Sequence, residues 1–272
     1  MILITDMNGL IHQFFHVRKE DDRDDVATRV LEKLERVREY YLAKPGFGDM
    51  KFVAVFDNPQ ETFRHILFPE YKQHRTKHDD LPKILRQTRE AVGKDADWID
   101  LDAPFSFESD DLIASIAKQY PGKVMIYSRD GDMNACLEKD RVVIIKQANV
   151  DLDTNSLTPE YFNYEMFVTK YGFHPKRWPE YMAIVGDSSD GLQGLSWQGV
   201  GPKKAAEVMR ECNSPDEADL ANVPLKLNKK QAATFLDFAR NYQFHLKLLR
   251  LRTDIPWPLE LGDRDGTTKT NN

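Results

Sequence analysis

The sequence predicts an α/β fold, a mostly parallel central sheet flanked by helices and followed by a helical region, on three observations. Short apolar runs of strand character recur, helical patterns separate them, and each run leads into an aspartate. Ile2-Leu3-Ile4 opens the chain and reaches Asp6. Val26 to Leu42 carries a helical pattern, and Phe52-Val53-Ala54-Val55-Phe56 is a second buried strand that ends at Asp57. Leu81, Ile84, Leu85 and Thr88 follow helical spacing, which turns Lys83, Arg86 and Arg89 to another face. Leu112 to Tyr120 is again helical, and Val124-Met125-Ile126-Tyr127 is a third strand that leads to Asp130. Alternation of this kind suits a parallel sheet, whose ligands gather at the carboxyl ends of the strands. Asp6, Asp57 and Asp130 are therefore expected at one edge. From about Pro159 the strand signal fades, and Gly172, Pro175 and Pro179 punctuate the change. An α/β domain is expected over residues 1–160 and a helical one over 161–255, with a long helix from Lys229 to Leu251. A polar tail is expected over 256–272, disordered from Gly262 to Asn272.

Hydrophobic residues at 41% and charged residues at 30% fit a soluble globular chain. The apolar runs, such as Phe52–Phe56 and Val142–Ile145, are far too short to span a membrane. The first residues read as a strand rather than a signal peptide, so a cytoplasmic protein with no membrane partner is expected. Cys136 and Cys212 lack the density of a disulfide scaffold and the clustered spacing of a zinc site, which leaves ordinary packing for both. The net charge of -6 argues at first against a nucleic-acid partner. Neutralising nine clustered acids with bound cations would turn that -6 into +3, a mildly basic remainder.

Those nine acids fall into five clusters: Asp6; Asp57; Glu108 with Asp110 and Asp111; Asp130 with Asp132; and Asp187 with Asp190. Magnesium is a hard cation that prefers oxygen ligands and keeps several waters. Two such ions roughly 3.5 to 4 Å apart can hold both the attacking and the leaving oxygen of a phosphodiester. Each cluster also has a structural reading. Ser109-Asp110-Asp111 can open the helix that continues through Leu112, and the other clusters can be turns or a loop before a helix. Placement favours the shared site, because independent caps have no reason to follow every central strand and recur in the next domain.

Five motifs carry a resemblance. Phe56-Asp57 followed by Thr62-Phe63-Arg64, Leu67-Phe68, Tyr71-Lys72 and His74-Arg75 resembles a stretch of the 5′-nuclease domain of bacterial DNA polymerase I and of phage flap endonucleases. Glu108-Ser109-Asp110-Asp111 resembles the family's Glu-Ala-Asp-Asp, and Gly186-Asp187-Ser188-Ser189-Asp190 its Gly-Asp-Ser-Ser-Asp. Ser128-Arg129-Asp130-Gly131-Asp132 is closer to the phage form. The resemblance covers residues 1 to about 255 in the family's order. It implies a PIN-like 5′-nuclease core, a helical arch at about residues 71–95 and a helix-hairpin-helix-like clamp in the second domain.

By position, the resemblance gives Asp6, Asp57, Glu108 and Asp110 to a first metal ion and Asp130, Asp132 and Asp187 to a second, with Asp110 able to serve both. Asp111 and Asp190 would act through water. Magnesium is the implied ion, with manganese able to substitute. The implied reaction leaves a 5′-phosphate and a 3′-hydroxyl. Lys72 and Arg75 match residues that face the scissile phosphate, where an ammonium and a guanidinium can stabilise developing charge.

Arg64, Lys77, Lys83 and Arg86 belong to a locally cationic stretch expected to meet DNA, although a charged helix face is also ordinary for a solvated helix. Gly199-Val200-Gly201-Pro202-Lys203-Lys204 is a glycine turn opening a helix, where amides and Lys203 or Lys204 can hold a phosphate. It resembles the family clamp, which can also hold potassium. Two departures stand out. Asp6-Met7-Asn8-Gly9 replaces the more usual Asp-Gly, and Gly194 to Gly199, with Trp197, is two residues longer than the common clamp loop.

The implied partners are DNA with free 5′ ends, flaps, nicks or RNA·DNA primers, together with replication proteins, acted on by a monomer. No polymerase domain follows residue 272, so action alone or in trans is expected. A related ribonuclease would need neither arch nor clamp, and an inactive DNA-binding scaffold would show replaced metal ligands. His12, His16, His65, His74 and His78 form no zinc ligand set; His12 and His16 are spaced as a helical pair without the accompanying Glu of a metalloprotease.

Overall fold

Apolar residues at consecutive positions of a strand can be buried only if both faces of the sheet are covered. The computed structural model, which describes residues 1–17, 23, 25–151, 156–194, 200–211 and 241–257, shows this arrangement. Strand β1 (Ile2–Asp6) is buried along its whole length. It pairs in parallel with β2 (Lys51–Phe56) on one side and β4 (Val124–Tyr127) on the other, so Ile4 lies beside both Val53 and Ile126. Outward from these lie β3 (Trp98–Asp102), β5 (Val142–Val150) and β6 (Leu157–Phe162), giving a six-stranded sheet in the order β3-β2-β1-β4-β5-β6. Every pairing is parallel except β5 with β6.

Successive strand residues point to opposite faces. Leu3, Phe52, Ala54 and Phe56 pack with residues of helices α1 (Met7–Val17), α2 (Val26–Leu42) and α4 (Leu81–Val92). The buried positions of α2 are Val26, Val30, Leu34, Val37 and Tyr41, the three-and-four spacing of a single docked face. Ile2, Ile4, Val53 and Val55 face the other way, against α5 (Ser109–Gln119). A short helix, α3 (Phe63–Leu67), lies between β2 and α4. In the region where an arch was expected, residues 71–95, the structure has helix α4, whose buried residues are Ile84, Thr88 and Val92.

The helical half follows with α6 (Tyr164–Tyr171), α7 (Trp178–Val185) and α8 (Pro202–Glu211). Phe167, Trp178, Tyr181, Ala205 and Val208 join the same apolar cluster as Ile2 and Ile113, so these helices dock on the α5 face of the sheet. Residues 241–249 are also helical, so the helix expected from Lys229 to Leu251 ends two residues earlier, at Leu249, and its part before residue 241 lies outside the described residues. Residues 250 to 257 then run back along α5.

The structure corrects three expectations. A strand, β6, covers Pro159, where helix was expected to begin; it is the outermost strand, and a residue lacking an N–H is tolerated there. Strand β3 was passed over because Asp100 and Asp102 interrupt its apolar residues, yet an edge strand with one exposed side has that alternation. Within the tail expected from residue 256, Pro256 is exposed but Trp257 is buried against Tyr120. Cys136 is half-buried and its thiol is pushed up to about 12 by burial and by Asp110 and Asp132. Cys212, Trp197 and residues 262–272 lie outside the described residues. Among the described residues, no helix is long and apolar enough to cross a membrane.

Candidate metal centre

In this strand order the chain runs outward from β1 through β2 to β3 and then crosses back to β4 on the other side of β1, which makes the carboxyl ends of β1 and β4 the switch point of the sheet. Asp6 stands there. Its Oδ1 accepts the Gly9 amide at 2.8 Å and its Oδ2 accepts the Ser128 hydroxyl at 2.8 Å. A Cβ on Gly9 would lie 2.2 Å from Asp6 Oδ2, so glycine three residues after the acid is what gives the carboxylate its room. Asn8 accepts the Asp57 amide at 3.0 Å, and Asp57 in turn accepts the Ser109 amide at 2.7 Å, joining the ends of β1 and β2 to the start of α5. The unusual Asp6-Met7-Asn8-Gly9 opening therefore has local work for two of its residues.

Helix α5 presents Glu108 at its N-cap and Asp110 in its first turn. Glu108 accepts Lys72 Nζ at 2.6 Å and the Tyr71 hydroxyl at 3.1 Å. Beyond β4, Asp130 accepts the Asp132 amide at 2.7 Å, while its own amide donates to Ser128 at 3.0 Å. Asp187 accepts the amide and hydroxyl of Ser189. The loop that holds it depends on Gly186, whose φ of 87° and whose missing Cβ, 2.3 Å from the Gly194 nitrogen, let the two backbones meet. Glu108, Asp110, Asp130, Asp132, Asp187 and Asp190 line one cavity of about 290 Å³, with Lys72 and Arg75 on its wall.

The charges in this cavity are unevenly balanced. Burial, then the charges of Asp130 and Asp57, hold the Asp6 carboxyl up at about 6 despite two hydrogen bonds that favour its ionised form. Burial together with Asp130, Asp6 and Asp57 raises Asp110 well above the ordinary range. Asp132 is raised the same way by burial, Asp130, Asp187 and Asp190. Asp130 thus acts on both groups of acids. Glu108 goes the opposite way: burial would raise it, but Lys72 and Arg64 hold it below the ordinary value.

Buried acids that repel one another call for a cation, and an all-oxygen donor set without His or Cys suits magnesium or manganese. The donor chemistry of these residues fits such ions. Among the described residues, no group of three or more His, Cys, Asp or Glu side chains is gathered closely enough to hold an ion as it stands.

Several expected site residues are placed otherwise. Arg64, expected on DNA, is 2% exposed; its guanidinium donates to both oxygens of Asp111, at 2.6 and 2.8 Å. Asp111, expected near a metal, is 0% exposed and is committed to that pair and to the amides of Glu108 and Arg252. Arg75 donates to Asp190 at 2.7 Å and to the Ser189 carbonyl at 3.2 Å, which gives Asp190 a cationic partner already. Lys72 lies on the cavity wall in a left-handed backbone, φ 57°, a conformation that non-glycine residues hold mainly where surroundings or function demand it.

Lys77, Lys83 and Arg86 are exposed, as are Lys203 and Lys204 in the first turn of α8. Gly201 precedes them with open space where a Cβ would stand, whereas Gly199 lies outside the described residues. Asn8, Tyr71 and Ser128 were missed in the sequence, although each lies within two residues of a predicted acid or cation.

Residues 1–172 match the family model described as the 5′-3′ exonuclease N-terminal resolvase-like domain, and residues 173–271 the one described as the 5′-3′ exonuclease C-terminal SAM fold. The chain is 30% identical over 216 residues to a 5′-3′ exonuclease of Aquifex aeolicus, covering 78% of this chain and 68% of that protein. It is 32% identical over 217 residues to DNA polymerase I of Deinococcus radiodurans, covering 78% of this chain but only 21% of the polymerase. Among solved structures, bacteriophage T5 5′-exonuclease with bound zinc ions aligns at a TM-score of 0.69 and 20% identity, over 93% of this chain and 90% of that one. T5 flap endonuclease in a complex with DNA and metal ions aligns at 0.67 and 19% identity, over 93% and 89%. These two share the fold.

Proposed function

The chain belongs to the 5′-3′ exonuclease family, and on that premise we propose that it hydrolyses DNA phosphodiesters at or near free 5′ ends, flaps and nicks with two magnesium ions. The observation that carries this reading is the gathering of Glu108, Asp110, Asp130, Asp132 and Asp187 in one cavity, where burial and then the charge of Asp130 raise Asp110 and Asp132. Asp6, Asp57, Glu108 and Asp110 would hold one ion, and Asp130, Asp132 and Asp187 the other. Ions bound there would stabilise charge on the phosphoryl oxygens and ease the ionisation of water, leaving a 5′-phosphate and a 3′-hydroxyl. Manganese would serve as well, by the same oxygen chemistry.

Lys72 would orient and neutralise the scissile phosphate once its present partner Glu108 is taken up by a cation, and Arg75, held by Asp190, would present its remaining donors to the same phosphate. Ser128 and the Gly9 amide keep the Asp6 carboxylate aimed into the site. Tyr71 does the same for Glu108. Lys203, Lys204 and the amides at the start of α8 would hold duplex backbone away from the cut, a contact that positions without reading sequence. This divides the labour between an α/β part over residues 1–160 and a helical part beyond it. Replication intermediates, including RNA·DNA primers, are the substrates such a division suits.

Asp130→Asn tests the reading, because that group bears on both sets of acids. The variant is expected to lose cleavage of end-labelled flap and nicked substrates in magnesium while keeping measurable DNA binding. Turnover like that of the unaltered chain would sink the two-metal assignment.

A further inference from the structure

The Arg64–Asp111 pair has more partners than an ordinary ion pair, and most come from one late segment. Arg64 Nε donates to the Leu248 carbonyl at 2.7 Å, and a terminal nitrogen lies 3.4 Å from the Arg250 carbonyl. The Arg252 amide donates to Asp111 Oδ1 at 2.9 Å. Next along α5, the Ser115 hydroxyl accepts the Ile255 amide at 3.1 Å, and its proton can go to the Asp111 carbonyl at 2.8 Å or the Arg252 carbonyl at 3.1 Å. One turn on, Gln119 Nε2 donates to the carbonyls of Thr253 and Ile255 at 3.1 and 3.0 Å. The segment is thus bound along the length of α5. It leaves the helical run 241–249, whose Tyr242, Leu246 and Leu249 pack in the shared core.

The other end of this network touches the proposed metal site. The Glu108 amide donates to Asp111 Oδ2 at 3.2 Å, and an Arg64 terminal nitrogen lies 3.3 Å from Glu108 Oε2. Both the backbone and the carboxylate of Glu108 are therefore held by groups that residues 248–255 hold in turn. We propose that this segment is a positioning strap: by seating Arg64 and Asp111 against α5 it fixes Glu108 for its cation, so that docking of the C-terminal helix sets metal affinity. The inference rests on the metal-dependent reading above. Supporting groups around a metal ligand typically govern about 10-fold to 100-fold in affinity, which leaves ample range for measurement.

The test loosens the strap at Ser115 and Gln119, one and two turns along α5 from Asp111, without altering an acid. Mn²⁺ binding to the full chain is titrated by electron paramagnetic resonance for the unaltered protein, Ser115→Ala, Gln119→Ala and the double variant, at a temperature where circular dichroism shows each folded. Leu34→Ala, on the opposite face of the sheet, serves as a variant that loses stability without touching the strap. The double variant is expected to bind Mn²⁺ at least about tenfold more weakly, and Leu34→Ala within about twofold of the unaltered chain. Gln119→Ala alters only a surface side chain and is expected to shift affinity in the same direction. Equal affinity in the strap variants overturns the inference, as does an equal loss in Leu34→Ala. If the unaltered chain binds no Mn²⁺, or Asp130→Asn binds it equally well, the metal reading falls and takes the strap with it.

Discussion

A carboxylate is useful to a cation only if its oxygens are held in place, and at Asp6 that depends on a neighbour with no side chain. Gly9→Ala would put a methyl 2.2 Å from Asp6 Oδ2. The carboxylate end would have to turn away, losing the Ser128 bond, while β1 stays in register. The expected outcome is a rise of about tenfold or more in the magnesium concentration that gives half-maximal cleavage, with the far-ultraviolet spectrum unchanged. An unaltered magnesium requirement would remove Gly9 from the site. At this scale the sequence is informative about most of the acids and misleading about one ion pair, Arg64 with Asp111. Asp6, Asp57 and Asp130 are legible because each closes an apolar run. Arg64 looked like a surface cation because its partner at Leu248 lies 184 residues away, beyond any local pattern.

Elements carry the site through their ends. The loop between Gly186 and Gly194 holds Asp187 and Asp190, and its Ser188 and Ser189 carbonyls meet His74 and Arg75 at the base of the arch segment. Gly186→Ala would place a methyl against the Gly194 backbone at 2.3 Å, which cannot turn aside, and at a φ that costs roughly 1–3 kcal/mol for a side-chain-bearing residue. A lowered melting temperature together with reduced cleavage is expected; a variant as active and stable as the parent would show that the loop tolerates reshaping. Parallel strands and the α2 boundaries were legible, since burial on two faces and an amphipathic stripe leave strong patterns. Edge strands β3 and β6 were not, because half-exposed strands admit Asp and Pro that read as interruptions.

For the molecule as a whole, charge links acidity to metal binding. Asp6, Asp110 and Asp132 have carboxyls raised by burial and by neighbouring acids. Such groups contribute stability at low pH that is lost as pH rises through their folded values, near 6 for Asp6. A cation must displace those protons. Its stabilising effect should therefore be larger at pH 7 than at pH 5, since at pH 5 protons already quiet the repulsion. His174 and His245 are lowered by burial with no proposed metal-holding acid among their neighbours, so they contribute alike with and without the ion. Melting curves in chelator and in magnesium at both pH values check this, and an equal gain at pH 5 and pH 7 would count against the acids as the binding site. Of the acids behind the net charge of -6, Glu108, Asp110, Asp130, Asp132, Asp187 and Asp190 share one cavity, a convergence that the charge total alone does not reveal.

The strap also orders events in time. Chains are made from the N-terminus, and their early parts fold first. A ribosome exposes every proposed metal-holding acid once Asp187 has emerged, well before Leu248, Arg250 and Arg252 arrive to seat Arg64 and Asp111. On the proposed reading, a chain made only as far as Asp187 carries those acids without the clasp, and the arrival of residues 248–255 is what would turn a collection of carboxylates into an aligned set.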